Sequence, residues 1–165
     1  MFKELLQEQA SRLGTDFRVP HFSIQKDHLH LIVEAENGAL TRGIRSFVIV
    51  FARRINRLLH RRGNVWGDRY HRRDLTSPRQ IKNALGYVLN NDLKHGHRQA
   101  SVPTLEVSSI DVFSSAFLLD GWCTRTMKVR YAVPWTENMR PRTWGLREGW
   151  KVHGLLDPRR KPGAR

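Results

Sequence analysis

The stretch DHLHLIVEA, residues 27–35, constrains this chain more than any other. Its apolar residues alternate, which is the period of a β-strand. One face of a strand over 28–35 then holds His28, His30 and Ile32, and the other holds Leu29, Leu31 and Val33. The preceding stretch, 16–25, reads as a second strand, with Pro20 pointing to an edge or a bulge. Only Lys26 and Asp27 separate the two, so they form a hairpin. Two imidazoles on one strand face either grip a metal ion or line a wet surface. Taken alone, the pattern favours the wet surface.

Helical periodicity surrounds the hairpin. Residues 2–13 read as an amphipathic helix with Phe2, Leu5, Leu6 and Leu13 inward and Gly14 as its stop. A longer helix runs from Ala39 to about Arg62. Leu40, Ile44, Phe47, Val48, Phe51, Ile55, Leu58 and Leu59 form its apolar stripe. Arg42, Arg45, Arg53, Arg57 and Arg61 lie opposite, and no acid falls between Asn37 and Gly67. Ile49 and Val50 sit among the arginines, a sign that part of that face is covered. Trp66 follows in a loop, and 69–75 (RYHRRDL) reads as a short basic strand.

Ser77 as N-cap and Pro78 as first residue open a third helix, which ends near Lys94 before Gly96. Ile81, Ala84, Leu85, Val88 and Leu89 are its apolar stripe. Tyr87 and Asn91, four apart, share its polar face. Gly86 costs about 1 kcal/mol relative to Ala in a helix, so it marks a close approach of backbone or ligand. Stretch 108–122 reads as a further helix, and 140–165 as a basic tail carrying Trp144 and Trp150, for stacking on DNA or for packing. The order helix, strand, strand, helix, strand, helix is most of a ferredoxin-like split βαβ sheet, an α+β fold with helices on one face. Residues 1–100 would form that domain, and 101–165 the basic tail.

Charge narrows the partner. Lys and Arg number 29 against 15 Asp and Glu, a net +14. Such an excess suits a polyanion, with nucleic acid the default. An anionic membrane surface is the rival, weakened because the basic residues are spread over several elements; a membrane- or RNA-associated basic protein with an incidental His pair is a third reading. No apolar run approaches the about 18 residues of a membrane span. The N-terminus lacks a signal-peptide pattern, so a cytoplasmic, nucleoid-associated protein is expected. The single Cys123 excludes an internal disulfide framework and a cysteine-based zinc site.

Three stretches in order, DHLHLIVEA, VWGDRYHRRDL (65–75) and ALGYVLNNDLKHG (84–96), resemble the single-tyrosine HUH transposases, in particular their REP-associated branch. The resemblance covers about residues 2–100, and 142–156 is similar to a tail in some relatives. His28-Leu29-His30 matches the His-hydrophobic-His motif. The resemblance implies that Tyr87 attacks a phosphodiester of single-stranded or hairpin DNA, giving a 5′-phosphotyrosine intermediate. It implies that His28, His30 and Asn91 hold Mg2+ or Mn2+, and that the protein can be a homodimer. Arg42, Arg45, Arg53, Arg57, Arg61, Arg69, Arg72 and Arg73 would track phosphates, and Trp66 would stack a base or plug the core edge. Lys94 would contact DNA or help the phenol ionise. Tyr70 ranks below Tyr87 as nucleophile, and His95 reads as solvated or phosphate-facing. Three departures stand out: Asp27 where the family often has Asn, Asn91-Asp92 where it has Asn-Pro, and no strand before the 2–13 helix. They leave an alternative, a truncated or inactive nucleic-acid-binding module of the same fold.

Overall fold

The computed structural model describes residues 4, 5, 8, 14–36, 38–95, 110, 111, 113–124 and 139–163. Its centre is an antiparallel hairpin of β1 (Phe17–Ile24) and β2 (Leu29–Ala35). Ser23 stands opposite His30, and Ile24 opposite Leu29. The register slips between Arg18 and His21, the bulge that Pro20 foreshadows. The Gln25 N–H donates to His28 O at 2.9 Å and closes the turn on Lys26 and Asp27.

Both faces of this two-stranded sheet are covered, which corrects the expectation of helices on one face. The reason lies in the strand itself, which offers apolar groups on each side. Leu29, Leu31 and Val33 pack toward α1 (Ala39–Leu58), which buries Ile44, Phe47 and Phe51 with Phe17, Phe22 and Leu5. Ile32 packs toward α2 (Pro78–Leu89), which buries Ile81, Leu85, Val88 and Leu89. Of the 2–13 segment, Glu4, Leu5 and Glu8 are described, and they are helical.

α1 stops at Leu58 rather than near Arg62. His60 takes the left-handed conformation (φ 49°), and the Arg61 N–H reaches back to Asn56 O at 2.9 Å. That is a helix-ending motif in which the chain leaves the helical path. Leu58 and Leu59, expected on the apolar stripe, are therefore exposed. Val50 does pack on the core, while Ile49 is 40% exposed.

Residues 69–75 form no strand. A cavity of about 490 Å3 separates them from β2, and among the described residues no backbone hydrogen bond joins the two. Alternation without a pairing edge does not make a strand. The described residues thus form an α+β arrangement with a two-stranded sheet.

α2 begins as the sequence dictates, with Ser77 Oγ accepting the Gln80 N–H at 3.3 Å and Pro78 first. It ends at Leu89, not Lys94. After Asn90 a separate short turn, α3 (Asn91–Lys94), takes over. Asn90 is buried, and its Nδ2 donates to Asp157 O at 2.9 Å and Arg160 O at 3.1 Å. These bonds from the C-terminal stretch hold the break.

That stretch belongs to the core. Ile110, Ala116, Leu146, Trp150 and Leu156 join the α2 side chains in one apolar cluster. Trp150 is 1% exposed and donates to Leu146 O at 3.2 Å, while Trp144, within α4 (Trp144–Arg147), is exposed. A methyl at Gly86 would meet Leu156 Cδ2 at 3.4 Å, an ordinary contact, so this packing does not by itself require glycine. The helix expected over 108–122 reduces, among described residues, to a single turn at Ala116–Leu118. Gly96 and His97 lie outside the described residues. No helix among the described residues is long and apolar enough to cross a membrane.

Candidate active site

His28 ends the hairpin turn and His30 lies in β2, so both imidazoles leave the face that α2 covers. Their ring centroids are 4.9 Å apart. The break at Asn90 swings Asn91 inward, where it is fully buried. Its Nδ2 meets His28 Nε2 at 3.0 Å. The other nitrogen of that ring, Nδ1, meets Asp27 Oδ1 at 2.7 Å. An ionised carboxylate only accepts, so the imidazole proton sits on Nδ1 and the Nε2 lone pair faces Asn91. The same bond from His28 holds the Asp27 carboxyl below the usual carboxylate range.

His30 is held neutral. Its pKa falls from 6.5 to about 4, first through burial, then through the neighbouring charges of His28, Lys94 and His95. A neutral imidazole keeps the lone pair that a metal ion needs.

Tyr87 completes the cluster. Its ring lies edge-on to His30, with centroids 5.1 Å apart. Lys94, the last residue of α3, donates from Nζ to Tyr87 Oη at 3.0 Å. The His95 ring is 5.0 Å from His28.

Two atoms at this centre lack partners among the described residues: His30 Nε2 and Asn91 Oδ1, both buried. A buried polar atom without a hydrogen bond is unfavourable and asks for an explanation. Asn91 Oδ1 is a Lewis base, and so is His30 Nε2 when the imidazole proton sits on Nδ1; with His28 Nε2, whose lone pair the Asn91 amide occupies at 3.0 Å and would release to an ion, they make two imidazoles and one carboxamide oxygen. Such N and O donors fit a divalent ion of the Mg2+ or Mn2+ type. Among the described residues no group of three or more His, Cys, Asp and Glu side chains is placed to hold an ion.

The sequence expectation of His28, His30, Tyr87 and Asn91 as neighbours is met, within one chain. The expectation that Tyr87 and Asn91 share the polar face of one helix is not. Tyr87 is 36% exposed and Asn91 is buried, because the helix breaks between them. Asp27, His95 and Asn90 were not expected at the centre. Asp27 leaves a signal only as a departure from the resembled motif, and His95 reads in the sequence as solvated or phosphate-facing.

The expected DNA contacts lie elsewhere. Arg42, Arg45, Arg53 and Arg57 are exposed along α1, on the face of the hairpin opposite the site, and Arg61 is exposed in the turn that follows it. Arg54 is instead tied to Glu8. Arg69, Arg72 and Arg73 are exposed, and Arg72 is held by Asp74 at 2.7 Å. The cavity beside β2 counts His30, Tyr70, Arg72 and Arg73 among its lining residues. Trp66 is a packing residue: its Nε1 donates to Val48 O at 2.9 Å, and its ring lies 5.1 Å from Phe51.

No protein-family model, curated protein or solved structure matches this chain.

Proposed function

We propose that this protein is a metal-dependent single-stranded DNA endonuclease and strand transferase, with Tyr87 as nucleophile on a reduced ferredoxin-like frame. One observation carries the reading. Two buried Lewis bases without partners among the described residues, His30 Nε2 and Asn91 Oδ1, meet a half-exposed phenol whose ring is 5.1 Å from His30. The resemblance of the three stretches to HUH transposases supports it.

His28, His30 and Asn91 would hold the ion. Mg2+ or Mn2+ bound there supplies Lewis-acid polarisation of a non-bridging phosphate oxygen. Asp27 keeps the His28 proton on Nδ1. Burial keeps His30 unprotonated at neutral pH. Tyr87 Oη attacks phosphorus, its proton passing to solvent. The bond from phosphorus to the 3′ oxygen breaks, and that oxygen leaves as a 3′-hydroxyl after taking a proton. The new 5′-phosphotyrosine keeps the phosphodiester energy for attack by another 3′-hydroxyl. Arginines of α1 and of 69–73 attract the strand through its phosphates.

The test is a 3′-end-labelled DNA hairpin with a single-stranded flank, incubated with Mn2+ and run on a denaturing gel. A labelled protein adduct is expected, lost with EDTA, with Tyr87→Phe and with His28→Ala. An adduct that survives Tyr87→Phe overturns the assignment of the nucleophile. Tight DNA binding with no adduct leaves the binding-module alternative.

A further inference from the structure

We propose that Lys94 is a catalytic residue that grips a non-bridging oxygen of the scissile phosphate while it holds the Tyr87 hydroxyl. The proposal rests on Tyr87 as nucleophile and assigns the other side of the phosphate.

Position is the first argument. Lys94 Nζ lies 3.0 Å from Tyr87 Oη, within hydrogen-bond range. A phosphorus atom poised for attack stands about 3–3.5 Å from Oη. Its non-bridging oxygens then come within reach of the same ammonium. Nζ also lies 4.9 Å from the Tyr87 ring centroid, so charge and ring hold each other in place.

Valence is the second argument. An ammonium has three donors. Tyr87 Oη takes one, and among the described residues no carboxylate pairs with Lys94. The side chain is exposed, so its remaining donors are open to a substrate. A lysine that donates to the phenol oxygen is placed to stabilise negative charge, which in phosphoryl transfer spreads over the equatorial oxygens.

The turn that carries Lys94 also carries Asn91. Asn91 and Lys94 are the first and last residues of α3, three apart and so on one side of the turn. Asn91 points to the histidine pair and Lys94 to the phenol. One turn, fixed at Asn90 by the carbonyls of Asp157 and Arg160, therefore sets both poles that flank the attacking oxygen.

The test uses the full chain and a DNA hairpin with one sulfur at a non-bridging position of the scissile phosphate, each diastereomer separately. On the all-oxygen substrate, Lys94→Met should slow single-turnover cleavage on the order of a hundredfold, as loss of one charge-stabilising donor does. DNA affinity should stay within about twofold, since one of many phosphate contacts is lost. In the wild type, one diastereomer should be slow with Mg2+ and recover with Mn2+, marking the metal side. The other should be slow with either metal, and that slowing should vanish in Lys94→Met and persist in part in Lys94→Arg. Lys94→Met cleaving at the wild-type rate, or keeping both sulfur effects in full, overturns the role of Lys94 alone. No adduct from the wild-type protein overturns the nuclease reading and this proposal with it.

Discussion

α1 and α2 lie on opposite faces of one hairpin, and both are amphipathic. α1 buries Phe47 completely and turns Arg42, Arg45, Arg53 and Arg57 to solvent. α2 buries Leu85 and Leu89 completely, yet its outward tyrosine is held between His30 and Lys94. The inner faces do the same job, so the difference lies outside. The face of α1 offers charge without convergence, which suffices to attract phosphates of any sequence. The end of α2 gathers groups from the turn, β2 and α3, which is what bond chemistry requires. Under the proposed function, binding and cleavage should be separable by mutation in this protein.

His30→Ala is the sharpest separation. It removes a buried lone pair without touching α1. Cleavage should fall on the order of a thousandfold, near the upper end for loss of one transition-state contact. Binding of single-stranded DNA, measured by anisotropy without metal, should not change. A large loss of binding would break the division between the two faces.

Acid should attack the α2 side first. His21 lies opposite Ile32 in the sheet and is 2% exposed, with Nδ1 3.2 Å from Ser115 Oγ. Burial lowers its pKa from 6.5 to about 4. The fold therefore holds it neutral while the unfolded chain takes up a proton. Its contribution to stability is full above pH 6.5 and drains away as pH falls toward about 4. The loss totals about 3 kcal/mol. Urea melts between pH 7 and 4.5 should show the slope, and His21→Gln should remove about half of it, since His30 is lowered as far and contributes in the same window. Hydrogen exchange should open α2 and 113–118 before α1; the reverse order would deny that the two sides differ in acid.

The two sides were also unequally legible. The hairpin, its bulge at Pro20 and the Ser77-Pro78 start of α2 follow from local rules, and the structure has them. So does the pairing of His28 with His30, because strand period is local. The break at Asn90 is not written nearby: its partners are carbonyls at Asp157 and Arg160. The strand expected over 69–75 fails for a related reason, since a strand exists only through a pairing edge. Trp150, Leu146 and Leu156 enter the core from short turns with no period to announce them. Asp27 was visible only as a mismatch to a resembled pattern, yet it bonds His28.

On α1, a triple change of Arg42, Arg45 and Arg53 to Gln should weaken single-stranded DNA binding. It should make the dependence of log K on log salt shallower by about 2, at roughly 0.7 per lost phosphate contact. Single-turnover cleavage at saturating DNA should be unaltered. A fall in that rate would mean that the α1 face orients the strand at Tyr87 as well as attracting it.

The smallest effect expected is that of Asp27→Asn, and it probes the site most finely. An Asn oxygen can still accept from His28 Nδ1, so the tautomer is retained while the charge is lost. A charge-assisted bond is about twice as strong as a neutral one, so part of the hold on His28 is lost. Mn2+ affinity, followed by titration of the ion into the protein, should drop less than about tenfold. Asp27→Ala, which leaves Nδ1 to solvent and frees the tautomer, should lose more than Asp27→Asn. Equal losses would show that the carboxylate acts through its charge alone, and no loss in either would remove Asp27 from the site and leave His28 oriented by Asn91 only.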